Sequence, residues 1–384
     1  MSQGCKSLFV VCGEASGETY TVNVVREFRK RFPDAPVSGI GGERLRAEGV
    51  RLVADYAGIS VVGVTEVVRH LPEVWKTLRL AIREATRPEV GAVLLVDFPD
   101  FNFLVGKRAA AKKVPVVYYI PPQLWAWRKG RAKQLAAFTR GVVVPFPFEL
   151  ETLIAAGVNA RFAGHPLLDE LSPFFDAAPA PGKFGIPAGS PVVGLLPGSR
   201  SGEIEKLFPP MVEAAKRIEA ARPDIRFAVP VAAPRFRETI AGILSEAGLE
   251  ATLVDSDRHL LFRSMIAAIS ASGTATLELA LLGVPSVIVY RTSNISYRIG
   301  RRLVSIECIG LPNIIAGEPF LPELIQDDCN PERMANELIG MISDPVKLEN
   351  MSGRCIALRD KLRGDGPTRS VVDMLVEVSE GAWI

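Results

Sequence analysis

Residues 192–218, VVGLLPGSRSGEIEKLFPPMVEAAKRI, join an uncharged apolar run to a glycine turn and then to a long amphipathic segment. The run Val192–Leu196 is typical of a β-strand that is covered on both faces of a sheet. Beyond the turn, apolar side chains recur at helical spacing, at Ile204, Leu207, Met211, Ala215 and Ile218. Pro209 and Pro210 must then lie in the first turn of this helix or kink it. The stretch predicts a strand, a turn and a helix in succession.

The same alternation continues on both sides of this stretch. Before it, strands are predicted at Leu8–Cys12, Val37–Ile40, Ala92–Val96, Val114–Ile120 and Gly141–Val144. After it, strands are predicted at Arg226–Val229, Ala251–Val254, Ile266–Ser270 and Val284–Tyr290. Helical patterns occur at Glu18–Arg31, Glu66–Thr86, Asn102–Lys113 and about Pro345–Glu380. Alternating strands and helices indicate parallel, doubly wound sheets.

The chain is long enough for two such sheets, because 384 residues correspond to two domains of ordinary size. Residues 171–190, LSPFFDAAPAPGKFGIPAGS, are rich in Pro, Ala and Gly and are predicted to be the linker. We therefore expect an α/β protein with two Rossmann-like doubly wound domains facing a cleft, at 1–170 and 191–350. The sequence leaves open whether the C-terminal helices, 351–384, pack back on the N-terminal domain.

Bulk composition excludes several classes of protein. A formal net charge of +2 without an arginine-rich run argues against a nucleic-acid partner. Five scattered cysteines, at positions 5, 12, 308, 329 and 355, suit a reducing compartment better than a disulfide framework. The chain has three histidines and no Cys/His cluster at zinc-ligand spacing, so a histidine-rich metal site is not expected. No cofactor is expected either.

No targeting or membrane-spanning segment is expected. The N-terminus, MSQGCKSLFVVCGEASGE, has a short apolar run that ends in a Gly/Glu turn, which is typical of a first strand and not of a secretory signal. The stretch between Arg263 and Arg291 is long enough to span a bilayer, but a Ser-Gly-Thr turn, a glutamate, a glycine and a proline interrupt it. We interpret it as strand, loop, helix and strand.

The turn after the first strand, Gly13-Glu14-Ala15-Ser16-Gly17-Glu18, opens a helix. Its glycines, Gly13 and Gly17, let the backbone turn tightly and approach a ligand closely. Two interpretations stay open for it. The turn is either an ordinary strand-to-helix connection or a wall of an acceptor site, to which Ser16 would then contribute.

A pair of carboxylates follows another buried strand, in Asp97-Phe98-Pro99-Asp100-Phe101-Asn102. Enzymes with α/β sheets place catalytic groups at such strand ends, so Asp97 is the candidate general base. Asp100 is expected to cap the following helix or to orient other groups. The alternative for this motif is helix capping alone, with Asp100 or Asn102 as the N-cap.

The loop Pro121-Pro122-Gln123-Leu124-Trp125-Ala126-Trp127-Arg128 places two tryptophans next to a basic helix start. Trp127 either stacks on a sugar or covers acyl chains, or the loop is simply packed. His165, in Gly164-His165-Pro166-Leu167, lies just before the predicted linker. Its role is either structural or a contact with substrate.

Two strand-to-helix turns of the second half suit an anionic ligand. Gly198, Ser199 and Arg200 offer free N–H groups at a helix N-terminus and a guanidinium fork that matches phosphate oxygens. Ser272, Gly273 and Thr274 form a second turn of this kind, and Glu278 lies one turn into its helix, at an offset suited to both hydroxyls of a ribose. The alternative for Glu278 is stabilisation by the helix dipole. Together the turns predict a nucleoside diphosphate site.

At these residues the sequence resembles the lipid-A-disaccharide synthases, inverting glycosyltransferases of the GT-B type. The resemblance is carried by GEASGE (13–18), VDFPDFN (96–102), PPQLWAWR (121–128), PFPFE (145–149), GHPL (164–167), LPGSR (196–200), SGTATLE (272–278) and LPNIIAG (311–317). These stretches run in order to about residue 330. Other UDP-sugar enzymes share the LPGSR and SGT turns, whereas WAWR with DFPDFN and LPNIIAG is far more specific.

The resemblance implies a reaction between UDP-diacylglucosamine and lipid X (2,3-diacylglucosamine 1-phosphate), without a metal. By this likeness Asp97 takes the acceptor proton, Arg200 and the Ser272–Thr274 turn hold the leaving phosphates, and Glu278 fixes the ribose. Asn313 is expected to line the donor side. The family's first motif usually reads GETSGD, so Ala15 and Glu18 depart from it, which puts the detailed roles of these two side chains in doubt.

Acylated substrates also imply a membrane surface. The apolar stretch Val61–Trp75 and the basic residues Arg128, Lys129, Arg131 and Lys133 are a candidate surface for docking on the cytoplasmic face of the inner membrane of a Gram-negative cell. The alternative is that the apolar positions are ordinary core. The resemblance is compatible with a monomer or a homodimer. Competing functions are a UDP-sugar epimerase, a GT-B transferase with another lipid acceptor, and a nucleotide-binding module without catalysis.

Overall fold

The computed structural model describes residues 6–56, 64–122, 129–292, 308–379 and 383. The chain divides into two compact units, the first formed by Met1–Pro166 with Leu362–Ile384 and the second by Leu167–Lys361. Each unit is built on a parallel sheet. Of the helices in the described ranges, none is long and apolar enough to cross a membrane.

The first unit has a seven-stranded sheet of order β3-β2-β1-β4-β5-β6-β7. Its strands are β1 (Ser7–Cys12), β2 (Val37–Gly41), β3 (Arg51–Asp55), β4 (Val90–Val96), β5 (Val116–Tyr119), β6 (Gly141–Val144) and β7 (Ala160–Phe162). The helices that alternate with them are α1 (Ala15–Arg31), α2 (Glu43–Ala47), α3 (Val64–Ala85), α4 (Pro99–Ala111), α5 (Lys129–Phe138) and α6 (Glu149–Ala155).

Both faces of this sheet are buried, which explains the nearly continuous apolar runs of its strands. Along β1, Phe9 and Val11 point into a core shared with α3, α4, α5 and α6. Leu8 and Val10 point into the opposite core, which includes α1. The side-chain period of two in a strand therefore divides one apolar run between two cores.

The second unit has a six-stranded sheet of order β10-β9-β8-β11-β12-β13. Its strands are β8 (Val192–Leu196), β9 (Arg226–Pro230), β10 (Ala251–Val254), β11 (Met265–Ala271), β12 (Ser286–Tyr290) and β13 (Glu323–Ile325). The helices are α7 (Pro166–Leu171), α8 (Ser201–Ala221), α9 (Arg237–Ala247), α10 (Arg258–Arg263), α11 (Thr274–Leu281), α12 (Leu311–Ala316), α13 (Pro331–Ile342) and α14 (Pro345–Leu362). Residues 171–190 carry two short 3-10 helices, Ser172–Phe174 and Pro181–Phe184.

Helix α8 excludes one of the two placements expected for its prolines. It buries the predicted apolar positions, Ile204, Leu207, Met211, Ala215 and Ile218. Pro209 and Pro210 lie in the interior of the helix and not in its first turn. Packing of the apolar face against the sheet stabilises a helix that proline alone would disfavour.

The last helix of the chain, α15 (Pro367–Val378), belongs to the first unit. Val371, Val372, Met374 and Leu375 are fully buried in the core that also contains β1 and α1. Trp383 lies edge-on to Phe28 of α1, with ring centroids 4.9 Å apart. The C-terminal residues thus close one face of the sheet with which the chain begins.

Candidate active site

In the first sheet, β1 and β4 are neighbours, and the connections from them lead to opposite sides of the sheet. Their register pairs Cys12 with Val96, so the two loops that follow begin side by side. Gly13 and the first residues of α1, Ser16 and Gly17, therefore lie at the same sheet edge as Asp97 and, at the start of α4, Asp100. Ligands of doubly wound folds bind at this kind of switch point.

Asp97 is held in an unusual backbone conformation. Asp97 and Phe98 have φ angles of 48° and 50°, in the left-handed region that non-glycine residues rarely adopt. Two side chains fix this turn by donating to the carbonyl oxygen of Asp97, the amide of Asn102 at 2.7 Å and the hydroxyl of Tyr118 at 2.7 Å. Burial raises the pKa of Tyr118 well above its usual range, so the hydroxyl remains protonated and donates. The strain is thus balanced by buried hydrogen bonds, and the half-buried carboxylate of Asp97 is held in place.

The glycines of the first turn permit this arrangement. A Cβ atom at Gly13 would overlap the ring of Phe98. A Cβ atom at Gly17 would lie 3.8 Å from the Cβ of Asp97, so the start of α1 runs close to the candidate base. Ser16 is exposed beside them. Small residues here bring the two loops into contact.

Asp100 and Asn102 do not cap the helix, which corrects the capping interpretation. Helix α4 begins at Pro99, and Phe98 is its N-cap residue. The side chain of Asp100 is 81% exposed and pairs with Arg131 of α5. Asn102 is fully buried beneath the Asp97 turn. Asp97 is therefore the more enclosed of the two carboxylates.

Glu18, whose role the sequence left in doubt, is a structural residue. Its buried carboxylate accepts hydrogen bonds from the backbone N–H groups of Gly42 at 2.8 Å and Leu45 at 3.0 Å, and from the Tyr56 hydroxyl at 3.2 Å. It therefore satisfies free N–H groups at the start of α2. Burial and the nearby Glu18 charge raise the pKa of Tyr56 to about 12.

The second sheet repeats the switch point between β8 and β11. Its register pairs Leu196 with Ser270, so the turn with Gly198, Ser199 and Arg200 and the turn with Ser272, Gly273 and Thr274 begin side by side. Gly273 and Thr274 are exposed at the start of α11. The structure thus brings together the two turns that were predicted to hold phosphate.

A carboxylate occupies the first of these turns. Glu203 accepts a hydrogen bond from the Ser199 N–H at 3.0 Å and lies 3.3 Å from a guanidinium nitrogen of the half-exposed Arg200. Gly198, with a φ of 110°, gives the turn its shape. The turn therefore binds an oxyanion of its own chain. The sequence analysis missed Glu203, although a glutamate in the first turn of a helix is a recognised signal for contact with free N–H groups.

Glu278 is a buried carboxylate at the base of the second turn, and its side chain is 5% exposed. One oxygen lies 3.1 Å from Arg258 and the other 3.2 Å from Nε2 of His259. It lies beyond the first turn of α11, in which no acidic residue occurs. Paired side chains, and not the helix dipole, are therefore its main partners.

Other predicted residues lie elsewhere or have other roles. His165 follows β7, the edge strand, and its buried ring lies 5.1 Å from that of Phe146. Burial lowers the pKa of His165 to about 3, so the ring is neutral at physiological pH. Trp127 lies outside the described residues.

Asn313 is buried, and its amide makes four internal hydrogen bonds. The nitrogen donates to the Leu321 carbonyl at 2.8 Å and to Glu323 at 2.7 Å, and the oxygen accepts from the N–H groups of Phe320 at 3.1 Å and Leu321 at 2.9 Å. An asparagine amide has no further hydrogen-bonding capacity. The Asn313 amide therefore shapes its own loop, and the predicted place of Asn313 on the donor side stays a prediction.

Across the described ranges, no group of three or more His, Cys, Asp or Glu side chains is placed to hold a metal ion. The polar groups that the two switch points bring to their sheet edges include the Asp97 carboxylate in the first unit and the Arg200 turn in the second, with Glu278 behind the neighbouring turn.

Comparison with solved structures identifies the architecture. The UDP-GlcNAc 2-epimerase from Neisseria meningitidis bound to UDP-GlcNAc has a TM-score of 0.67 to this chain, with 14% identity and coverage of 97% of this chain and all 100% of the other. At that identity the likeness shows the fold alone. The two Rossmann-like units are those of the GT-B architecture.

Comparison of sequences places the family. The family model described as lipid-A-disaccharide synthetase matches residues 8–365. The lipid-A-disaccharide synthase of Geobacter metallireducens is 40% identical over 373 residues, which cover 97% of both chains. That of Nitrosococcus oceani is 36% identical over 381 residues, covering 99% of this chain and 98% of the relative. The chain therefore belongs to the lipid-A-disaccharide synthase family of glycosyltransferases.

Proposed function

We propose that this chain transfers 2,3-diacylglucosamine from its UDP derivative to the 6-hydroxyl of lipid X, giving the β-1,6-linked lipid A disaccharide phosphate and UDP. The observation that carries the proposal is the match to the family over nearly the whole chain, with relatives that are called lipid-A-disaccharide synthases. Two switch points, one with a held carboxylate and one with anion-binding turns, support the same chemistry.

In the proposed reaction, Asp97 is the general base. Its carboxylate takes the proton of the acceptor hydroxyl while that oxygen attacks the anomeric carbon of the donor, and the bond to UDP breaks in the same displacement. A base at the end of a buried strand, fixed through its own backbone, is well positioned for proton transfer. The hydrogen bonds that Asn102 and Tyr118 donate to the carbonyl oxygen of Asp97 support this role.

The second unit stabilises the leaving group. Arg200 and the N–H groups of the two turns neutralise the charge that develops on the diphosphate. Glu203 accepts a hydrogen bond from the Ser199 N–H and contacts Arg200 in the first turn, so a phosphate that binds there must displace it. Glu278 accepts hydrogen bonds from the ribose hydroxyls of the donor.

The enzyme takes up both acylated substrates at a membrane surface, the cytoplasmic face of the inner membrane. Trp75 of α3 is a large apolar side chain that is 54% exposed, and Lys133 of α5 is exposed as well. These two residues support a peripheral docking surface of apolar and basic groups. Arg131, which was also predicted for this surface, pairs with Asp100. The remaining side chains predicted for it lie mainly outside the described residues.

The test is release of UDP from UDP-diacylglucosamine, with and without lipid X. We expect acceptor-dependent release, and in Asp97→Asn a fall of at least about a hundredfold in kcat, with UDP binding retained. Asp100→Asn is the matched control, since Asp100 is exposed, and it should retain most activity. Release that ignores lipid X would instead favour an epimerase or another acceptor. Loss in Asp100→Asn but not in Asp97→Asn would move the base to Asp100.

A further inference from the structure

Glu278 lies in a cluster of charged side chains within the second unit. Besides Arg258 and His259, the carboxylate of Glu170 lies 3.8 Å from Nε2 of His259. The side chain of His259 is 11% exposed, while that of Arg258 is 54% exposed. Of the two partners of Glu278, the histidine is thus the enclosed one.

The imidazole of His259 is fixed by aromatic neighbours. The ring of Phe174 lies edge-on with centroids 5.3 Å apart, and that of Phe262 lies at 6.2 Å. His259 is also the second residue of α10, whose N-cap residue Asp257 has a left-handed conformation with a φ of 54°. A ring held in this way presents Nε2 to Glu278 in one orientation.

The surroundings of Nε2 determine its proton. Glu278 and Glu170 can only accept hydrogen bonds, so these carboxylates favour the tautomer in which Nε2 carries a proton and donates to Glu278. Arg258 Nε also lies 3.1 Å from this nitrogen, and it can donate to Nε2 only in the other tautomer. Arg258 is half exposed and also donates to Glu278 through a second nitrogen.

These contacts leave Glu278 with capacity for a ligand. A carboxylate accepts about four hydrogen bonds, and Arg258 and His259 use one on each oxygen. With respect to the described residues, one acceptor position therefore remains on each oxygen, which matches the two adjacent hydroxyls of a ribose. Without its partners, the glutamate side chain would have to be ordered at the moment of binding.

We infer that His259 is a positioning residue, which holds Glu278 in the orientation that binds both ribose hydroxyls of the UDP donor. The inference rests on the proposed function. In this inference, Glu278 and His259, behind the SGT turn, select a ribonucleotide, which has both ribose hydroxyls. Nucleotides that lack these hydroxyls are selected against.

The experiment measures binding of UDP and of 2′,3′-dideoxy-UDP to the full chain by calorimetry. His259→Phe keeps the aromatic contacts and removes the donor. We expect it to weaken UDP binding by about five- to thirtyfold and to leave binding of dideoxy-UDP unchanged. His259→Gln retains an N–H donor and should restore part of the loss. In Glu278→Gln, adding His259→Phe should cost nothing further, because the pair acts as one unit.

Each other outcome overturns the inference. Equal losses for both nucleotides in His259→Phe would indicate a packing role, and no loss would remove the histidine from the site. Equal binding of both nucleotides by the wild-type chain would show that Glu278 does not bind the ribose hydroxyls. The proposed function fails separately, if UDP release does not depend on lipid X. Where His259→Phe does not fold, His259→Gln and Glu278→Gln answer the same questions.

Discussion

Asn102 illustrates how one buried amide supports the carboxylate that we propose as the general base. Its nitrogen donates to the carbonyl oxygens of Asp97, at 2.7 Å, and Val96, at 3.3 Å. Asn102→Asp has the same shape but only acceptors, so it would face both carbonyls without a donor. We expect kcat to fall between about tenfold and a hundredfold, with UDP binding retained.

The measurement is acceptor-dependent UDP release, with thermal unfolding recorded for each variant. Lys107→Ala, an exposed position on the same helix, is the control and should behave as the wild type. Full activity in Asn102→Asp would show that the backbone of Asp97 holds its conformation without this amide.

His165 makes stability depend on pH. Its pKa is lowered to about 3 by burial, whereas an unfolded histidine titrates near 6.5. Below pH 6.5 the unfolded chain takes up a proton that the folded chain does not. The contribution of the neutral His165 to the free energy of unfolding is therefore lost as the pH falls from 6.5 toward 3. Between about pH 6.5 and pH 5 the free energy of unfolding falls by about 2 kcal/mol through this histidine.

His165→Gln removes this titration. The free energy of unfolding of the variant, measured by denaturant titration at several pH values, should therefore fall less steeply than that of the wild type over this range. Parallel curves for the two proteins would mean that the imidazole is hydrated or charged in the folded state.

At the level of single residues, the sequence indicated the strand-end turns that the structure brings side by side, but not how each side chain is used. Asp97 and Arg200 were named because strand ends and glycine turns are visible in a sequence. Whether a polar side chain faces a ligand or its own backbone depends on tertiary contacts, so Asn313 was assigned to the donor although its amide is saturated internally. Glu203 was missed for the same reason.

At the level of elements, the missed strands share one position. Every predicted strand was found, whereas β3, β7 and β13 were not predicted, and each lies at the edge of its sheet. An edge strand has one neighbour and is less buried, so it lacks the continuous apolar run that marks a central strand. The sequence RLVAD of β3, for example, begins and ends with a charge.

The contact between two strand-to-helix turns gives a prediction at this scale. Because a Cβ at Gly13 would overlap the ring of Phe98, Gly13→Ala forces the turn after β1 away from the turn after β4. We expect a loss of about 1–3 kcal/mol in the free energy of unfolding and a marked fall in kcat. Gly130→Ala is the control, because a Cβ there meets nothing within 4 Å.

Gly130 lies in helix α5, where alanine is favoured over glycine, so that control should be as stable as the wild type or slightly more stable. Thermal unfolding and UDP release measure both effects. A Gly13→Ala variant with normal activity would show that Phe98 moves aside without disturbing Asp97.

At the level of the whole molecule, the chain begins and ends in the same unit. α15 buries four fully enclosed apolar residues against β5, β6 and α1, far from them in sequence. Contacts of such high sequence separation form only after the second unit has been synthesised, so the first unit cannot complete its core during early translation. The second unit, in contrast, is one continuous segment, Leu167–Lys361.

Two matched core variants test whether these units are separate in stability. Met374 of α15 is fully buried in the first unit, and Met341 of α13 is 1% exposed in the second. Truncation of either to alanine should cost about 2–5 kcal/mol through the cavity it leaves. Since each side chain is buried in its own unit, Met374→Ala should accelerate hydrogen exchange in β1, β5 and α1, and Met341→Ala in β8, β11 and α8. Mass spectrometry of peptides from both units measures this directly. Faster exchange in both units for either variant would mean that the chain unfolds as one cooperative body, because the loss of one core would then be shared by the other.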